Sequence, residues 1–246
     1  MGAGVRSQQD LVRGKVVGSV KWVGAPLIVG DWFDLLPDEA KNIIAVLSDY
    51  LQSAELPAFL DTAQVQRMRS MSLAVYPGWL LIECQARISG DAVVLFSFLF
   101  GPNGAVLLDG RSDAVHALNE LIGVSIAETG EAAEYLAFYC SAVRTGLGRF
   151  EIIATLADLA FAAGTTQGQK AEVRRQLTAL KQKQADDRGF VFDATVRYGP
   201  SLYKTQFLVP PNGRVQMLED NELDFEARLE TEQFEGPFRI PAARSR

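Results

Sequence analysis

The side chains best suited to chemistry are few. The chain has one histidine, His116, and two cysteines, Cys84 and Cys140. His116 lies in SDAVHALNE, where a helix puts Asp113, His116 and Glu120 on one stripe at i, i+3 and i+7. An imidazole oriented by a carboxylate is a common general base. The solvated side of a surface helix shows the same pattern, and we read the stripe that way. Cys140 falls near the C-terminal end of a helical segment, where the dipole disfavours thiolate. A nucleophilic cysteine wants the opposite end or a cationic neighbour. Cys140 therefore reads as a buried structural residue, as does Cys84 on its strand. A Cys140/His116 pair is a combination the composition permits, but nothing local supports it. A single histidine removes every site that needs two, including multi-histidine zinc sites.

The remaining motifs are weaker. EDNELDFE, residues 219–226, has carboxylates enough for calcium but lacks EF-hand spacing and its glycine. It reads as a solvated acidic connection, with contact against the basic stretch 170–188 as a second possibility. Residues 219–235 hold eight acidic side chains and one basic one, whereas 170–188 hold six basic and three acidic ones. GAGV at 2–5 precedes any strand, and GPNG lies between strands, so neither forms a phosphate loop. No catalytic, cofactor-binding or metal-ligating residue is assigned, and no cofactor is expected.

Composition bounds the rest. With 48% hydrophobic and 22% charged residues, the 246-residue chain reads as globular. A net charge of −6 gives no support to a nucleic-acid binder. No signal-type segment and no apolar run of roughly 18 residues appears, so the expectation is a soluble, cytoplasmic protein off the membrane.

Several elements must carry these side chains. Residues 14–33 read as two short strands and a turn. LLPDEAKNIIAVLSDYLQ reads as an amphipathic helix, with Pro37 in its first turn and Ile43, Val46, Leu47, Tyr50 and Leu51 on one stripe. A further helix is read after Pro57. WLLIECQARI alternates, with Leu80, Ile82, Cys84, Ala86 and Ile88 inward and Glu83, Gln85 and Arg87 outward, as in a half-buried strand. AVVLFSFLF, 92–100, is apolar on both faces and needs cover on both. Helices are expected at 113–122 and 130–145, the second capped by Thr129. RFEIIATLADLAFAAG reads as a strand running into a helix, or as helix throughout. KAEVRRQLTALKQKQ reads as a basic helix, and a three-stranded meander follows it.

The chain also writes one phrase twice. FLFGPNGAV at Phe98–Val106 returns as FLVPPNGRV at Phe207–Val215, 109 positions on. From Gly90 to Val106, seven of seventeen residues match at that offset. Pro-Asn-Gly is simply a good hairpin turn, so coincidence is the plainer reading. One detail opposes a repeat, because this register sets outward Glu83 against apolar Phe192. We nevertheless read an internal repeat of a Pro-Asn-Gly hairpin unit.

The expected fold class is α+β, antiparallel β-meanders covered by helices. The expected division is 1–165, a larger α+β unit; 166–188, linker and basic helix; and 189–246, a smaller meander unit. The expected function is non-enzymatic protein–protein interaction or a structural part in an assembly, with a protein partner or a homo-oligomer. The alternative is an enzyme with a carboxylate-based or Cys140/His116 site.

Overall fold

The computed structural model describes residues 21–53, 65–87 and 93–241, and side chains outside 48–53. The first elements are β1 (Phe33–Asp34), α1 (Pro37–Ser53), β2 (Val65–Ser72), β3 (Leu80–Arg87), β4 (Val93–Gly101) and β5 (Gly104–Leu107). Next come α2 (Ser112–Ile122), α3 (Thr129–Ala142), β6 (Arg144–Thr145), β7 (Gly148–Ile153), α4 (Gln167–Gln176) and β8 (Lys181–Asp186). The chain continues with β9 (Gly189–Tyr198), β10 (Ser201–Val209), β11 (Gln216–Glu222), β12 (Gln233–Glu235) and β13 (Phe238–Ile240). The fold is α+β: four helices and thirteen strands, antiparallel and in two sheets, among the described residues.

The chain forms two compact units. The first holds the described residues to Leu108 and takes back Glu235–Pro241; the second spans Asp109–Phe234. The division thus falls before α2 and not near 165. The reason is packing: α3 lies on β7 and β9, so the helices after the first meander belong with the second one.

In the first unit the sheet runs β1-β2-β3-β4-β13-β12, with β5 also on β4. Helix α1 starts where Pro37 fixes φ and the Glu39 carboxylate accepts the Leu36 N–H at 3.0 Å. Its Ile43, Ile44 and Leu47 pack with Met68, Ile82 and Phe96 of the sheet. Val46, expected on that stripe, is 47% exposed. The opposite sheet face overturns the half-buried reading of β3, since Glu83 is 0% and Gln85 5% exposed. The segment before β1 covers it. The Val23 N–H donates to Gln85 Oε1 at 3.0 Å, and a Cβ on Gly30 would meet Met71 at 2.6 Å. β4 accordingly has the two-sided burial its sequence demands: Val94 to Leu99 are all buried. The helix read after Pro57 lies outside the described residues, as do Ile88 and residues 14–20 of the expected N-terminal strand pair, while 21–32 form bends and coil instead of strands. Strand β2, interrupted by Arg67 and Arg69, was not anticipated.

In the second unit the sheet runs β11-β10-β9-β7-β6, with β8 beside the first half of β9. One face, carrying Phe192, Ala194 and Val196, is buried. On the other, Ile153 and Leu202 pack with Val173 of α4, Leu159, Ala227 and Leu229. The basic helix stops at Gln176, short of expectation. Leu177 turns extended, the Thr178 N–H donates to Thr195 Oγ1 at 2.7 Å, and the Thr195 N–H returns to the Thr178 carbonyl at 2.8 Å. These bonds draw Lys181–Asp186 alongside β9 as a strand. Helix α3 ends at Ala142 and not near 145, because Arg144 donates its N–H to the Gly110 carbonyl at 2.8 Å and enters β6. After β7 comes a single 3-10 turn, Leu156–Asp158, instead of a long helix.

Both meanders, β3-β4-β5 and β9-β10-β11, run in the same order. Ile82 faces Phe98, and Phe192 faces Phe207. The first strands therefore correspond at an offset of 110 (192 less 82), and the second at 109 (207 less 98). This pairs Glu83 with Asp193 and removes the clash of faces. The turns themselves differ. Pro102-Asn103 joins the paired residues Gly101 and Gly104, with Gly104 at φ +131°. The later turn runs from Leu208 to Gln216, with Gly213 at φ +70° and its N–H on the Pro210 carbonyl at 2.9 Å. The two tripeptides do not form the same turn, and a duplicated unit is not shown.

Candidate interaction site

The residues singled out for chemistry are kept apart. His116 is half-buried on α2; its Nε2 lies 3.4 Å from the Tyr139 hydroxyl, and the two rings meet edge-on at 5.8 Å. Its Nδ1 is buried without a partner. Cys140 is 2% exposed, and burial pushes its thiol up to about 12, so no thiolate is available near neutral pH. Burial raises the fully covered Cys84 thiol as well, with Glu83 adding to the rise. No hydrogen bond joins Cys140 to His116 among the described residues. Of the expected stripe, Asp113 and Glu120 are exposed, and Glu120 pairs with Arg214 at 2.6 Å.

Two charge clusters were missed. In the first unit, strand register sets Arg69 opposite Glu83. Arg69 Nε reaches Glu83 Oε2 at 2.6 Å, and Arg239 of β13 donates to Oε1 at 2.6 Å. The Arg69 guanidinium lies 4.0 Å from the Trp22 ring and 5.2 Å from that of Trp32. Burial lowers the Arg69 pKa, although Glu83 works in the opposite sense. All three charged groups are buried and engaged with one another. The cluster is a closed structural bond with no room for a substrate. Its signal was present in the alternation, but an outward Glu83 looked solvated.

In the second unit, Glu151 sits between Arg149 and Arg197. Arg149 also holds Glu232 at 3.0 Å, and Arg197 donates to the Glu230 carbonyl at 2.7 Å. Glu151 and Glu232 keep 13% and 15% of their side-chain surface exposed.

The acidic segment does meet the basic one, but not through ion pairs. Leu223 and Phe225 pack with Val173 and Leu177, and the Gln176 amide donates to the Asp224 carbonyl at 3.0 Å. Beside it is an open recess of about 400 Å³, lined by Pro200, Ser201, Glu222, Asp224 and Phe225 among others. Among the described residues, no three His, Cys, Asp or Glu side chains are placed to hold a metal. No helix there is long and apolar enough to cross a membrane.

What the second unit leaves open is its sheet edges. Every residue of β8 and every residue of β11 is exposed. Met217 and Leu218 are 40% and 47% exposed on β11. Each strand has one strand neighbour among the described residues, β9 and β10 respectively, so its outer N–H and C=O groups face outward. Each carries a bulge, at Lys183 and at Leu218. Sequence reading missed β8 entirely, because alternating Lys and Gln resemble a solvated helix. No family model, no curated protein and no solved structure matches this chain.

Proposed function

We propose that the chain is a non-enzymatic structural or interaction protein that works in an assembly with copies of itself, through the sheet edges of its second unit. The observation that carries this reading is that every residue of β8 and of β11 is exposed. An edge strand with free backbone groups is a template for another strand. Met217 and Leu218 add apolar surface at that edge. The enzyme alternative has less behind it: the Cys140 thiol is buried and held near 12, and His116 meets Tyr139 instead. Two free, buried cysteines suit a reducing, cytoplasmic setting. Light scattering across micromolar concentrations is expected to show a mass above the 26.9 kDa monomer that rises with concentration. A constant monomer mass overturns the reading.

A further inference from the structure

We infer that the assembly is built head to tail, with β8 of one copy pairing antiparallel to β11 of the next, Lys181 opposite Glu222 and Lys183 opposite Asp220. This inference rests on the assembly reading above and specifies its contact. β8 presents Lys181 and Lys183, and β11 presents Glu219, Asp220 and Glu222, all exposed. Two β11 edges would set acid beside acid. Two β8 edges would pair Lys181 with Asp186, a carboxylate already held by Arg188 at 2.9 Å, and would leave Lys183 without an acid. Only unlike edges match along their length. Opposite charges directly across a strand pair stabilise it, and like charges destabilise it.

Charge also chooses the register. With Lys181 at Glu222, all six residues of β8 lie opposite β11, and both lysines meet an acid. Ala185 then lies opposite the exposed Leu218. Any other antiparallel register leaves at most one lysine opposite an acid. A parallel pairing that serves both lysines overlaps by only three residues. Two competing contacts within the chain are slight: Lys183 lies 3.9 Å from Asp193, and Thr129 reaches Gln182 on the face that α3 covers. The bulges on both strands, with the lysines of β8 and the carboxylates of β11, guard these edges against indiscriminate pairing, which is why the partner must supply the complementary charge. A contact between two different edges is heterologous, so it closes into a ring or continues as a filament.

Within one chain, β9 and β10 separate β8 from β11, a gap of about 14 Å at ~4.8 Å per strand. Zero-length carbodiimide coupling therefore distinguishes contacts between copies from contacts within one. A one-to-one mixture of nitrogen-15 and natural-abundance protein is expected to give mixed-isotope peptides joining Lys181 to Glu222 and Lys183 to Asp220. K181E/K183E and D220K/E222K are each expected to weaken self-association at least tenfold, and the chain carrying all four changes to recover it. Association with the mass unchanged in both double variants and no such crosslink overturns the strand pairing while leaving the assembly reading standing. A Lys181–Asp186 crosslink between copies overturns it in favour of like edges. A monomer at every concentration overturns both.

Discussion

Each unit clamps one glutamate between two arginines and carries one Pro-Asn-Gly turn, but the two units seal opposite members of this pair. In the first, Glu83 is fully buried with Arg69 and Arg239, while Pro102 and Asn103 are exposed and a Cβ on Gly104 would meet nothing within 4 Å. In the second, Glu151 keeps some contact with solvent and its arginines keep other partners. There Pro211 and Asn212 are exposed as well, but Gly213 is buried and the turn is tied down: the Tyr135 hydroxyl donates to the Gly213 carbonyl at 2.8 Å, and the Ile126 N–H to the Pro211 carbonyl at 2.8 Å. The same residue types thus do different work depending on what covers them. A sheet face shut by a neighbouring segment turns a charge cluster into a core element. A helix pair beside a hairpin draws the glycine of its turn into the core.

The largest effect is expected at the sealed cluster. Glu83→Gln leaves two buried guanidiniums without their counter-charge, which costs about 3–5 kcal/mol. All three tryptophans, Trp22, Trp32 and Trp79, lie in the first unit, so the shift is read as an earlier fluorescence transition in urea. An unchanged midpoint would mean that the cluster is not sealed. Next comes Gly213→Ala. Its φ of +70° strains alanine, and the added carbon would lie 2.6 Å from Asn119 Nδ2 and 2.8 Å from the Tyr135 hydroxyl. Strain and the lost Tyr135 bond together amount to about 2–3 kcal/mol. Gly213→Asn separates the two terms, because asparagine tolerates the left-handed backbone but not the crowding. It should recover little of the loss.

Part of this fold is legible in the sequence. The α+β class, the two meanders and α1 follow from periodicity, because Ile43 and Leu47, or Phe96 and Phe98, repeat at the spacing of the face they bury. β4 also declared its own cover through the lack of a polar face. Glu83 did not: alternation says which residues share a side, not whether a later segment will close over that side. The same gap hid the end of α4. Helical spacing continues to Leu180, but two hydrogen bonds between Thr178 and Thr195, seventeen residues apart, override it. Arg239 joins Glu83 from 156 residues away, a distance no local pattern spans. The candidate edges were foreseen only as a class, since β8 carries no apolar signal at all.

Gly104→Ala tests the open turn. Alanine is strained at φ +131°, yet nothing stands in its way, and the tip of a hairpin can readjust. About 1–2 kcal/mol is expected, and the paired Gly213→Ala variant should lose more. If Gly104→Ala proves the costlier, backbone strain rather than packing governs both turns.

The smallest effect is expected at the open cluster. Glu151→Gln removes a charge from between Arg149 and Arg197, but Arg149 retains Glu232 at 3.0 Å and Arg197 retains the Glu230 carbonyl at 2.7 Å. Neither guanidinium is stranded, and the glutamine can still accept a hydrogen bond. The loss should be about 1 kcal/mol, the order of one hydrogen bond weakened and not of a charge left stranded. Salt sharpens the contrast. At about 1 M the screening length falls to ~3 Å, so the gap between Glu151→Gln and the parent should narrow in a circular-dichroism melt. The gap for Glu83→Gln should stay, because counter-ions cannot reach a carboxylate that is 0% exposed. Equal salt dependence in the two variants would show that both clusters see solvent alike and would end the distinction between them.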